Sequence, residues 1–103
     1  MCLALALLWA GKAAAESLVM VTPLRGAVGA ALEHHLEEVI QECDKEGVAL
    51  LVLEIDTPGG LVSSMREMVR MIQNAPCPVV AWVAPGGAQA ASAGAFLLEA
   101  AHV

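Results

Sequence analysis

Apolar residues along the chain change their rhythm five times, and each change marks an element. From residue 17, "SLVMVTPL" is a short β-branched, apolar run with the character of a buried strand. Downstream, Leu32, Leu36, Val39, Ile40 and Cys43 recur at spacings of three and four, while Glu33, Glu37, Glu38 and Glu42 lie mostly elsewhere. That is the pattern of an amphipathic helix, and Gly47 ends it as the residue just past its last turn. "VALLVLEI", residues 48–55, is a near-continuous apolar run, which in an α/β protein predicts a central parallel strand covered on both faces. "DTPGG" breaks that run. Leu61, Met65, Met68, Val69 and Ile72 then return to helical spacing within residues 61–75. "PCP" stops this helix, "VVAWVA" supplies a third strand, and a glycine loop leads into "SAGAFLLEAA", a further helix.

The order strand, helix, strand, helix, strand, helix predicts an α/β fold of right-handed βαβ units around a parallel sheet. In such sheets the ligand crevice lies at the carboxyl ends of the strands. Both "DTPGG" and "APGGAQAAS" fall there, so two loops from different strands should face one site.

Composition narrows the picture. A chain of 103 residues holds one domain at most, and 58% hydrophobic with 16% charged residues is too apolar for a disordered one. So much hydrophobicity in so short a chain suggests missing neighbours, as in a fragment or an obligate oligomer. A net charge of −6 with five basic residues and no basic cluster argues against nucleic-acid binding. Trp9, Trp82 and Phe96 are the aromatic residues, too few for a stacking platform or an aromatic cage.

Residues 1–15, "MCLALALLWAGKAAA", read as a signal peptide: an apolar core from Cys2 to Ala10, then Ala13 and Ala15 in an A-x-A pattern before Glu16. The alternative is an N-terminal core helix; the run is shorter than the ~20 residues a spanning helix needs. Cys43 and Cys77 would remain after cleavage. Two buried thiols are the default reading, with a disulfide open to them in an oxidising compartment. Neither CxxC nor a His-rich spacing occurs, so no metal site is expected. Gly86 and Gly87 match neither GxGxxG nor the Walker pattern, so no phosphate-bearing cofactor is expected either.

The residues that could carry chemistry each admit a plainer role. Ser92 at a loop-to-helix junction is either an N-cap or a nucleophile whose turn exposes Oγ ahead of a helix N-terminus. Small neighbours at Ala90, Ala91, Ala93 and Gly94 favour close approach of a substrate backbone. Gly59 and Gly60 form a tight turn after Pro58, or they leave a backbone N–H free for a substrate oxygen. An oxyanion hole needs two such donors, and the N–H of Ala93 is the natural second. Asp56 reads as a strand-end cap holding the TPGG turn before it reads as an acid or base. Ser63 and Ser64 fall on the wetter side of a helix start, and His34 and His35 on a solvated face among glutamates. Met65, Met68 and Met71 suit core or subunit packing, and could also line an adaptable peptide groove.

"LVLEIDTPGGLVSSMREMVRMI" followed by "PVVAWVAPGGAQAASAGAFLLEAAHV" resembles the NfeD family of membrane-bound, ClpP-class serine proteases, related to signal peptide peptidase A. The resemblance implies a ClpP/crotonase-like fold, here as an incomplete domain over residues 16–103. It implies Ser92 as nucleophile, with the backbone N–H groups of Gly60 and Ala93 as the oxyanion hole. The family's base is a lysine in a Ser-Lys dyad, some tens of residues beyond the serine and so beyond Val103. Lys12 and Lys45 do not match its position, and the 103-residue chain alone is expected to be inactive. Family members are similar in cleaving hydrophobic stretches of membrane partners, notably stomatin-like proteins. They assemble as homo-oligomers and reach the membrane through segments absent here, which with the signal implies an exported protein on the periplasmic or extracytoplasmic face. Two other functions compete: an acyl-CoA-handling crotonase relative, which would use the same backbone donors on a thioester enolate, and a non-catalytic binding or assembly module.

Overall fold

The computed structural model describes residues 17–103; the N-terminal signal reading, with Cys2, Trp9 and Lys12, falls outside the described residues. The predicted order appears as β1 (Val19–Arg25), α1 (Ala30–Glu46), β2 (Leu50–Asp56), α2 (Val62–Gln73), β3 (Val79–Val83) and α3 (Ala93–Ala100). The three strands form a parallel sheet in the order β1-β2-β3. α1 ends as its glycine predicts: Gly47 takes a left-handed conformation at φ 64°, and Val48 N–H closes the turn on the Cys43 carbonyl.

The alternation along the strands decides where the core sits. Leu24, Leu51, Leu53, Ile55 and Val79 point to one face and are fully buried with Leu36, Met68, Ile72 and Leu97 from the three helices. Adding strands in sequence order with crossovers of one hand places every helix on the same side of the sheet. The opposite face therefore lacks a covering layer among the described residues. Val19, Val21 and Trp82, aligned with Leu50, Val52 and Glu54 by the register, are more than half exposed. β2 was expected to be covered on both faces; one face is buried and the other half-buried.

Two contacts close the far ends of the structure. Cys43 and Cys77, read by default as free thiols, are joined as a disulfide that ties the last turn of α1 to the segment before β3. At the other edge the chain returns to β3, where Val103 N–H donates to the Val79 carbonyl and Ala81 N–H to the Val103 carbonyl. This is one step of a parallel ladder.

Candidate active site

The carboxyl ends of the strands are extended by backbone bridges, and these build the site. Beyond β2, Thr57 pairs with Ala90: its N–H donates to the Gln89 carbonyl at 2.7 Å, and its carbonyl accepts from Ala91 N–H at 3.1 Å. Two residues later the chain bridges the opposite neighbour. Val28 N–H donates to the Gly59 carbonyl and Leu61 N–H to the Val28 carbonyl, both at 2.8 Å. The TPGG segment is thus stitched to the end of β1 on one side and to the loop before α3 on the other.

These stitches bring Ser92 against Gly59. A Cβ built on Gly59 would stand 2.7 Å from the Ser92 Cβ, and Gly59 has a φ of 109°, so two independent constraints require glycine there. At Gly60 a Cβ would overlap the Val28 backbone. Space therefore explains both glycines. The free amide at Gly60 has a different origin: its bridge to Val28 uses the Gly59 carbonyl and the Leu61 N–H, which turns Gly60's own N–H to the other side. It donates to no protein acceptor among the described residues, and neither does the N–H of Ala93, the first residue of α3.

Ser92 occupies the N-cap position of α3 but does not act as a cap. Its backbone has a positive φ, 53°, with ψ −118°, and its side chain makes no cap hydrogen bond. An N-cap takes extended dihedrals and bonds back to the second or third helical N–H. Ser92 is the one non-glycine residue with positive φ among those described, a conformation that costs on the order of 1–3 kcal/mol. Its side chain is exposed. A strained serine on a sharp turn into a helix is the arrangement that lifts a hydroxyl clear of its neighbours.

The surrounding residues refine the sequence reading. Asp56 Oδ1 accepts from Gln89 N–H at 3.2 Å, so its side chain holds the serine loop, whereas the TPGG turn is held by Thr57, whose Oγ1 accepts from Gly59 N–H at 3.1 Å. Ser64 is buried rather than wet, and Ser63 is exposed. His34 stays on the solvated face beside Glu37 and Glu38, but His35 turns inward and its Nε2 meets the Pro23 carbonyl at 3.1 Å. Met68 is fully buried, and Met71 packs against the core. Met65 lines an open groove of about 400 Å³ between α2 and α3, with Val69, Phe96 and Ala100 beside Arg66 and Glu99. Lys45 lies in the last turn of α1. α1 leads into the start of β2, so Lys45 is at the end of the sheet away from Ser92, about 20 Å off at ~3.3 Å per strand residue. Sequence reasoning did not single out Thr57 or Val28; a threonine ahead of Pro-Gly-Gly at a strand end was the signal for the first.

Residues 18–103 match the family described as NfeD1b, N-terminal domain. The chain belongs to the NfeD1b N-terminal domain family. It is 30% identical over 89 residues to the membrane-bound protease PH1510 of Pyrococcus horikoshii, a match spanning 86% of this chain and 20% of that protein. Two solved relatives are variants of the 1510-N membrane-bound stomatin-specific protease of the same organism. A serine-to-alanine variant superposes with a TM-score of 0.82 at 29% identity, covering 84% of this chain and 42% of that one. A lysine-to-alanine variant in complex with a substrate peptide gives 0.83 at 31%, covering 85% and 40%. The NfeD1b-type domain described here thus has the α/β fold of the ClpP-like protease N-terminal domain and is homologous to a membrane-bound protease. It spans about a fifth of the curated relative and about two fifths of the solved chains. Among the described residues no helix is long and apolar enough to cross a membrane.

Proposed function

We propose that residues 16–103 form the first part of a serine endopeptidase domain in which Ser92 is the nucleophile and the backbone N–H groups of Gly60 and Ala93 stabilise the oxyanion. The observation that carries this reading is the strained, positive-φ backbone of Ser92 packed on Gly59, beside two amides with no protein partner among the described residues. Attack by Ser92 Oγ on a peptide carbonyl forms the C–O bond and places negative charge on the carbonyl oxygen, which two preorganised N–H donors offset. Peptide C–N cleavage, with the base returning the serine proton to the departing amine, then leaves an acyl-serine that water hydrolyses to the free acid and Ser92.

A serine hydroxyl needs a base. Lys45 is at the wrong end of the sheet; the family resemblance gives the proton to a lysine, in a Ser-Lys dyad, in the region that corresponds to the part of the relatives this match does not cover. Such a lysine works near neutral pH only when burial or a neighbouring charge lowers its pKa well below ~10.4. That the solved relatives include separate serine-to-alanine and lysine-to-alanine variants supports this pairing. The substrate is a hydrophobic segment of a stomatin-like membrane protein, as the relatives' names and the methionine-bearing groove one turn beyond Ser92 suggest. The protein is exported by residues 1–15, works as a homo-oligomer, and is held at the extracytoplasmic face of a membrane by segments outside residues 16–103. A reporter active only after export, fused to residues 1–15, should gain activity; retention in the cytoplasm would refute the signal.

The test of catalysis is a chimaera in which residues 17–103 replace the matching segment of the Pyrococcus horikoshii protease. It should label with a serine-directed fluorophosphonate at Ser92, and Ser92→Ala should abolish labelling. The 103-residue chain alone should label little, since losing a positioned base costs about 10²- to 10⁴-fold. A chimaera that cleaves hydrophobic peptide equally well with alanine at position 92 would falsify the assignment.

A further inference from the structure

Thr57 is fully buried at the end of β2 and touches both halves of the site by different atoms. Its hydroxyl accepts from Gly59 N–H at 3.1 Å. This internal bond occupies the amide of the buried glycine and leaves Gly60 N–H as the one the turn presents. Its backbone bonds to Gln89 and Ala91 fix the strand of chain that delivers Ser92. Its methyl reaches the start of α3: a Cβ on Gly94 would stand 2.5 Å from Thr57 Cγ2, so helix and threonine are in direct contact one residue past Ala93.

One residue therefore sets the two donors relative to each other, Gly60 through the hydroxyl and Ala93 through the methyl. We infer that Thr57 is the positioning residue of the two-donor site, acting through Gly59 and Gly94 without touching the substrate. This rests on the proposed roles of Ser92, Gly60 and Ala93. A shift of a few tenths of an ångström in either donor weakens a hydrogen bond to the developing oxyanion while leaving ground-state binding nearly as before. The effect belongs in kcat rather than KM.

Thr57→Val preserves volume, the methyl and both backbone bridges, and deletes only the hydroxyl acceptor. Thr57→Ser keeps the acceptor and deletes the methyl. In the 17–103 chimaera, Thr57→Val should lower kcat by about 10- to 100-fold with KM within about twofold, and Thr57→Ser, which keeps the hydroxyl but loosens the methyl contact behind Ala93, should lower kcat by less, about 3- to 10-fold, given that a whole oxyanion donor is worth about 10²- to 10³-fold. In the chain itself, Thr57→Val should speed hydrogen exchange of the Gly59 amide by at least about tenfold, whereas Thr57→Ser should leave it protected, because a bonded buried N–H exchanges only on opening. A Gly59 amide equally protected in Thr57→Val, or an unchanged kcat in a chimaera that Ser92→Ala inactivates, overturns the inference and leaves the nucleophile standing. Activity that survives Ser92→Ala removes the underlying reading instead, and the exchange measurement still decides whether Thr57 holds the turn.

Discussion

Gly59 and Ser92 share one packing site: a Cβ on the glycine would lie 3.2 Å from Ser92 Oγ and 3.1 Å from the Ala91 carbonyl oxygen. Gly59→Ala must therefore push the serine loop away as well as strain its own backbone. The expected loss is about 2–4 kcal/mol of stability, combining the positive φ with overpacking. The midpoint of denaturant unfolding measures it, and a loss below about 0.5 kcal/mol would show that the two loops are not in contact.

Ser92→Gly should make the domain more stable, not less. Glycine adopts the positive-φ backbone of this position without the Cβ penalty, a relief of about 1 kcal/mol after its greater unfolded-state entropy is counted. Ser92→Ala keeps the penalty and should be nearly neutral. Stability bought at the price of the hydroxyl is the trade-off expected of a functional residue. A glycine variant that unfolds at lower denaturant than the wild type would contradict the strain.

Gly60→Ala and Gly29→Ala form a matched pair. The first places a Cβ into the Val28 backbone, whereas the second has an extended φ of −165° and no atom within 4 Å of its Cβ. Backbone cannot yield as a flexible side chain does, so Gly60→Ala should cost about 3 kcal/mol or more, and Gly29→Ala should stay within about 0.5 kcal/mol. Thermal unfolding of the two variants side by side separates them.

Glu67 on α2 donates a pH signature that lies away from the site. The hydrogen bond from Arg70 Nη2, 2.6 Å from Glu67 Oε1, and then the arginine's charge hold this carboxyl below its ordinary value of 4.5. Its folded value is depressed, so the pair's contribution is complete above the unfolded value and is lost as pH falls through the folded one. An NMR titration should find the Glu67 midpoint below 4.5, and Arg70→Ala should return it toward 4.5. An unchanged midpoint in Arg70→Ala would rule out the pairing in solution.

The element order was legible because apolar runs of strand length alternate with helical spacing, and Gly47 marked its helix end through a purely local rule. The convergence of the TPGG and serine loops followed from parallel topology alone. What the sequence could not show are properties imposed from a distance. The backbone of Ser92 is bent because Ala90 and Ala91 are stitched to Thr57, more than 30 positions earlier. Asp56 reaches the other loop rather than its own turn for the same reason. His35 turns inward because β1 offers it a carbonyl at Pro23. The second face of the sheet, bare among the described residues, is a consequence of strand order, which no single strand's pattern encodes.

That bare face also gives the domain an optical voice. Trp82 stands on it with 56% of its surface exposed and is the single tryptophan among residues 17–103. Its emission should be red-shifted and open to collisional quenchers such as iodide. Any layer that comes to lie over Val21, Val52 and Trp82 would move that emission to the blue, so assembly on the face can be followed without attaching a dye.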